Sequence, residues 1–319
     1  VASDLGVTLT TVLYNSQDSL ARFASQLAPA VRDGTITLVA VDNASPDGSA
    51  AEIKALIPEC RLVVNLQNVG YAGGCNAAWP HVSTPYWMLL NPDVELDIDA
   101  LGRLVRWMDR HPDVAAASPR LIDPAGDEFS VARQPDSLWL VLVELARLHK
   151  LLPPRLRARW LFPGRTFTPD AFKGWVPGAA MIVRARAVQD VGLLDASIFM
   201  YGEDVDWCRR MVAANWRVGF CQDVVLTHGG GTSATATWGR TEHIAREVHG
   251  HLSATRKAHG AIYVRLISAA SAALFFSVAT ARAGHADAGA RSVRWRARCY
   301  SLAALAGADA LVGSPDRQL

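Results

Sequence analysis

The sequence predicts an α/β fold: a mainly parallel central sheet flanked by helices, with a helical C-terminal extension. Three observations carry that expectation. Runs rich in β-branched residues alternate with amphipathic helical runs over the first 120 residues, the pattern of parallel strands joined by crossover helices. Each strand-like run ends in a polar, turn-rich segment. The last quarter of the chain reads as helices. Half of the residues are hydrophobic and 19% are charged, so a sizeable core can form and general disorder is excluded.

Taken in order, VTLTTVL from Val7 to Leu13 is the first strand, and YNSQDSL leads into a helix with apolar Leu20, Phe23 and Leu27. ITLVAVD is a second strand ending at Asp42, and NASPDGS a turn before a helix whose first turn includes Ala51 and Glu52. RLVVNL reads as a third strand, NVGYAGGCNAAW as a Gly-rich loop entering a helix, and YWMLLNPDVEL as a fourth strand broken at Pro92. Ligands of such sheets bind beyond the carboxyl ends of the strands, so Tyr14, Asn15, Asp42, Asn91 and Asp93 share one edge. Residues 129–170 mix the apolar run SLWLVLVELARLHKLL with Pro153-Pro154 and a basic RLRARW, and are expected to form a helical or mobile insertion flanking the site. Pattern returns in GWVPGAAMIVRA, in VGLLDASIFMYGEDVDWCRRMVAANWRVGF and in VVLTHGGGTS.

A net charge of +2 is too small for a nucleic-acid binder, although Arg291, Arg294, Arg296 and Arg298 crowd the C-terminal region, where they suit anionic lipid or plain solvent. The 16 uncharged residues between Arg265 and Arg282 fall short of the roughly 20 needed to span a bilayer, so a buried or interfacial helix is expected there. Five scattered cysteines without a CxxC pair signal neither a disulfide framework nor a zinc site. No charged segment followed by an apolar one precedes the first strand. A cytoplasmic setting is expected.

Several strand ends could carry chemistry. Asp42 either accepts a hydrogen bond from the imide N–H of a uracil or thymine, or caps the following helix; Asn43, Ser45 and Asp47 read as turn-makers. The three glycines of NVGYAGGCNAAW let backbone N–H groups approach a diphosphate or sugar, in a loop that is neither GxGxxG nor a P-loop. LLNPDVEL delivers one carboxylate, Asp93, into a proline-fixed turn, either as a ligand for magnesium or manganese or as a strand-ending turn. YGEDVDW places Glu203, Asp204 and Asp206 where a helix begins, as a dipole-favoured first turn or as the seat of a general base for an acceptor hydroxyl, with the remaining carboxylates pairing with Arg209 or Arg210. His228, at a strand end before three glycines, is either structural or a metal ligand.

In the order YNS, VDNASPDGS, NVGYAGGCNAA, LLNPDVEL, GAAMIVRA, GLLDASIFMYGEDVDWCRR and THGGGTS, the chain resembles the family 2 glycosyltransferases, nearest to their rhamnosyltransferase-like branch, over about residues 7–235. The resemblance implies a GT-A fold, with residues 1–120 binding a nucleotide-sugar and 121–235 binding the acceptor and carrying the base. Residues 236–319, beyond the resemblance, are expected to form a helical region whose apolar run and arginines suit association with a membrane or a second subunit. Tyr14, Asn15 and Asp42 would hold the nucleoside, and Gly70 with Asn76 would face the diphosphate-sugar. Asp93 would ligate a divalent cation as the last carboxylate of a DxD motif, with His228 as second ligand and Asn91 standing at the first acidic position, where it is the poorer ligand. Asp204 would be the base, with Glu203 beside it. The implied reaction is an inverting, metal-dependent transfer from a dTDP- or UDP-sugar, L-rhamnose first, to a polyprenyl-linked saccharide or an aglycone, in the cytoplasm or at the inner membrane face. Two rivals are a non-catalytic sugar-nucleotide-binding scaffold and a nucleotidyltransferase, which would want basic residues after the first strand where YNSQDSLAR offers only Arg22.

Overall fold

The computed structural model describes residues 4–126, 138, 142, 171–229, 232–281 and 288–311, so the expected insertion at 129–170 lies almost wholly outside the described residues. The chain divides into two compact units, one drawn from residues 1–134, 168–199 and 203–233, the other from 135–167, 200–202 and 234–319.

The first unit is built on a nine-stranded sheet. Its first half is wholly parallel, in the spatial order β3-β2-β1-β4, from β1 (Val7–Leu13), β2 (Thr37–Asp42), β3 (Arg61–Val64) and β4 (Tyr86–Leu90). The crossovers are α1 (Gln17–Arg32), α2 (Ser49–Leu56) and α3 (Gly70–Ala78). Every β1 residue but Val12 is buried, because helices cover both faces of such a sheet and erase the alternation of a half-exposed strand. Two of its three threonines find partners inside: the Trp87 indole N–H donates to the Thr10 hydroxyl at 2.8 Å, and Thr84 donates to Thr8 at 2.8 Å.

The sheet continues past β4 as β8-β6-β9-β5. These are β5 (Val94–Glu95), β6 (Val114–Ile122), β8 (Ala180–Arg184) and β9 (Arg217–His228), with β7 (Ala171–Phe172) paired to β9. β8 runs antiparallel to both its neighbours, so the second half is mixed within one continuous sheet. Three more helices pack on it: α4 (Ile98–Arg110), α5 (Ala185–Val191) and α6 (Glu203–Ala213). Asp97 caps α4 by accepting the Ala100 N–H at 2.6 Å, an interaction worth about 1 kcal/mol. Leu101, Leu104, Trp107 and Met108 then bury one face of that helix. α6 is held on the opposite face of the sheet by Trp207, fully buried edge-on to Trp87 at 5.8 Å, with its indole N–H donating to Gly192 O at 2.9 Å.

The second unit contains α7 (Thr232–Ala281) and α8 (Ala288–Ala306). A straight helix would separate Thr241 from Phe275 by about 50 Å. Yet the Trp295 indole donates to Thr241 O at 2.7 Å and Tyr300, five residues further along α8, stacks on Phe275 with ring centroids 5.5 Å apart. The helical run therefore folds back on itself, and Gly260, with φ +83° in the left-handed region, is where it does so. Leu252, Val264, Ile267, Cys299 and Ala303 fill the core between the limbs. An 18-residue window of this run has a mean hydropathy of 1.7 and is one-third buried, so the run is long and apolar enough to cross a membrane by length and composition.

Candidate active site

The carboxyl ends of β1 and β2 meet through a serine and aspartate cluster. Asn15 takes the left-handed region at φ 50°, as asparagine tolerates, and its N–H donates to the Ser45 hydroxyl at 2.8 Å beside half-buried Tyr14. Asp47 accepts from the hydroxyls of Ser45 and Ser49, both at 2.6 Å, and from the Gln17 N–H at 3.0 Å. Burial works against its charge, but these bonds outweigh burial and hold the carboxyl down at about 2. Asp47 and Ser45 are turn-makers, as expected. Asp42 differs. Burial is the main cause raising its carboxyl above the usual range; one oxygen accepts from the Ser45 N–H at 3.3 Å, and the other is buried with no hydrogen-bond partner among the described residues. An acceptor in that state wants an N–H donor.

Asn43 organises the glycine loop. Its side-chain amide donates to Asn68 Oδ1 at 2.8 Å and Gly70 O at 3.1 Å, while its oxygen accepts from Asn65 and from the Val69 N–H. Gly70 has φ +77°, and a Cβ there would overlap the Phe199 carbonyl. The Gly70 N–H donates to Asn68 at 3.0 Å and the Tyr71 N–H to Phe199 O at 2.8 Å. The two leading N–H groups of α3 are thus engaged within the protein. Gly70 stands where the close approach of the Phe199 backbone leaves no room for a side chain. Asn76 donates to Leu194 O at 2.8 Å and keeps a buried oxygen without a partner among the described residues.

Asp93 and His228 are brought together by β5. Its antiparallel register with β9 sets Val94 opposite His228, and the Gly229 N–H donates to Asp93 O at 2.9 Å. His228 Nε2 lies 3.2 Å from Asp93 Oδ1, with both side chains about nine-tenths buried at 12% and 11% exposure. Ligands about 2.1 Å from an octahedral cation stand about 3.0 Å apart, so the pair fits two adjacent positions around such an ion. Among the described residues no group of three or more His, Cys, Asp or Glu could hold a metal, so the remaining positions would fall to water and substrate oxygens.

The carboxylates that open α6 are sorted by their surroundings. Asp206, 3% exposed, is bound by Arg209 at 2.6 Å and Arg210 at 2.8 Å and is structural. Glu203 is buried, and burial first, then the neighbouring Asp204 charge, pushes its carboxyl up to about 8. It is therefore largely protonated at neutral pH. Asp204 is half-buried; it accepts from the Gly178 N–H at 3.0 Å and the Val205 N–H at 2.8 Å. Gly178 ties it to the edge that carries Asp93, since the next residue, Ala179, accepts the Asn91 N–H at 2.8 Å two positions before Asp93.

Residues 8–175, more than half of the chain, match the family model described as Glycosyl transferase family 2. The chain is a family 2 glycosyltransferase. It is 29% identical over 225 residues to the N-acetylglucosaminyl-diphospho-decaprenol L-rhamnosyltransferase of Mycobacterium tuberculosis, spanning 65% of this chain and 71% of that one. It is also 23% identical over 228 residues to the low-salt glycan biosynthesis hexosyltransferase Agl10 of Haloferax volcanii, spanning 70% and 66%. The mannosyltransferase PcManGT of Pyrobaculum calidifontis, solved with GDP-Man and Mn2+, shares the fold with a TM-score of 0.55 at 17% identity over 96% of this chain and 89% of that chain. The GT-A fold and the rhamnosyltransferase-like branch of the family are both borne out.

Three residues of this glycosyltransferase escaped the sequence reading. Asn43 was a turn-maker among turn-makers, with nothing local to show that it clamps the glycine loop 25 residues away. Tyr71 and Gly178 had no signal at all. The Tyr71 hydroxyl donates to Gly178 O at 3.0 Å, and so fixes the turn whose N–H reaches Asp204.

Proposed function

We propose that this glycosyltransferase transfers L-rhamnose from dTDP-rhamnose, or a related sugar from a UDP-sugar, to a hydroxyl of a polyprenyl-diphosphate-linked saccharide, inverting the anomeric centre. The observation that carries the reading is the Asp93–His228 pair, 3.2 Å apart at the sheet edge to which Asp204 is tied through Gly178. The sugar and the lipid-linked acceptor are supported by the 29% identity to a decaprenyl-diphosphate-dependent rhamnosyltransferase. On this reading residues 1–120 bind the donor, 121–235 bind the acceptor and carry the base, and 236–319 bring the enzyme to its acceptor at the inner membrane face.

The unpartnered oxygen of Asp42 accepts the imide N–H of the uracil or thymine, with Tyr14 and Asn15 beside it at the end of β1. Asp93 and His228 would hold a divalent cation, and Asn91 and Asn76 would face the donor. A divalent cation there supplies charge to offset that building on the departing nucleotide diphosphate. Asp204 takes the proton from the acceptor hydroxyl as its oxygen attacks the face opposite the leaving group. Of the carboxyls that open α6, Glu203 is buried and largely protonated and Asp206 is bound by two arginines, which leaves no second carboxylate of that helix as a nucleophile and favours single displacement.

Thermal-shift binding to UDP, dTDP, GDP and NAD, each with manganese and again with EDTA, tests the reading. We expect stabilisation by UDP or dTDP that needs the metal, and its loss in Asp93→Ala and in His228→Ala. Equal stabilisation with EDTA, or by all four nucleotides, would refute it.

A further inference from the structure

The back-folded limb of α7 presents a face that its own bundle does not cover. Val264, Ile267 and Ala270 point into the core, whereas Ile262, Leu266, Ala269, Ala273 and Phe276 are exposed at spacings of four, three, four and three, which is one stripe of a helix. Ile262 is 79% exposed, Leu266 53% and Phe276 50%. On α8 the exposed residues again form one stripe, Arg291, Arg294, Arg298, Leu302 and Leu305, basic in its first half and apolar in its second, where Leu305 is 82% exposed. Contiguous apolar side chains left in water mark a binding surface.

Charge identifies the occupant. Residues 261–281 and 288–306 contain five arginines and not one aspartate or glutamate. Arg296 is neutralised within the unit by Glu247 at 2.7 Å, whereas Arg294 and Arg298 are exposed. A second copy docked on this surface would bring the arginines of both copies into one interface to which neither helix contributes a carboxylate. Crossing a bilayer is disfavoured too, because the opposite face of the limb is committed to its bundle core and Arg265 sits in its second turn.

We infer that these two helices form a docking surface for an anionic lipid bilayer, with the apolar stripe of α7 and the leucines of α8 seated at the acyl boundary and the arginines among the head groups. The inference rests on the proposed membrane-borne acceptor only for its purpose, since docking requires neither donor nor acceptor.

Flotation of the full chain with vesicles, without nucleotide or acceptor, tests it. We expect binding to phosphatidylcholine vesicles containing a third of phosphatidylglycerol, reversal by high salt, and little binding to phosphatidylcholine alone. Arg294→Gln with Arg298→Gln should weaken binding by roughly fivefold for each arginine removed. Ile262→Asp with Phe276→Asp should weaken it at least as much. Unchanged melting by circular dichroism is expected for these exposed positions, and single substitutions replace any pair that melts early. Equal binding to neutral vesicles, salt-resistant insertion, unaltered binding by the variants, or a dimer in solution that the Ile262→Asp/Phe276→Asp pair dissociates would each overturn the inference.

Discussion

Glu203 and Asp204 are chain neighbours whose carboxyl groups meet opposite surroundings, so their amide substitutions should separate. Asp204→Asn keeps the shape and the bonds from Gly178 and Val205 partly satisfied while removing the base, and should lower kcat by about 10²–10⁴ with nucleotide binding retained. Glu203→Gln replaces a group already largely protonated, and should keep most of the turnover at neutral pH. Its signature lies in stability. The Glu203 carboxyl is raised from 4.5 to about 8 in the fold, so its contribution is whole below the unfolded value and is lost as pH rises through about 8. The Gln variant should therefore hold its Tm between about pH 5 and 9 better than the wild type does. Thermal melts across that range, read beside initial rates, check both substitutions. Turnover kept by Asp204→Asn would remove it from the role of base.

Elements reach the site through contacts that local sequence does not announce. β9 carries His228 at one end and Gly219 near the other, and a Cβ at Gly219 would overlap the Trp107 ring of α4. Gly219→Val should overpack this contact and cost about 1–3 kcal/mol, read as a lower urea midpoint. If β9 shifts to accommodate it, metal-dependent nucleotide binding weakens as well, because the pairing of Val94 with His228 depends on that strand's register. Strand ends and helix starts were legible: β1, β2 and β4 end where β-branched or apolar runs meet Asn, Asp and Pro, and α6 begins at its acidic turn. The two-residue strand β5 was not, being too short for any periodic signal, and it is the element that brings Asp93 to His228. Nor was the fold-back at Gly260 legible, since a lone glycine in a helical pattern reads as a tolerated residue until its φ is known.

Across the first unit, the glycine loop and Asp204 are joined through one phenol. Tyr71 leaves α3, donates to Gly178 O, and so steadies the turn whose N–H holds Asp204. Tyr71→Phe should relax that turn and move the acidic limb of the pH–kcat profile to higher pH, because a hydrogen bond to a carboxylate favours its charged form. Donor KM should change little; an unmoved limb would mean that the turn stands without the phenol. The α/β class, the edge on which ligands sit and the candidates Asp42, Asp93, Asp204 and His228 were all readable along the chain, because β-branching, helical periodicity and turn chemistry act between near neighbours. The 3.2 Å meeting of Asp93 with His228, the sorting of Glu203, Asp204 and Asp206 into buried acid, half-buried carboxylate and arginine partner, and the use of Gly70 for close approach were settled by folding. Each depends on which distant strand or loop arrives beside a residue and how much water it displaces, and neither is written in the residues on either side.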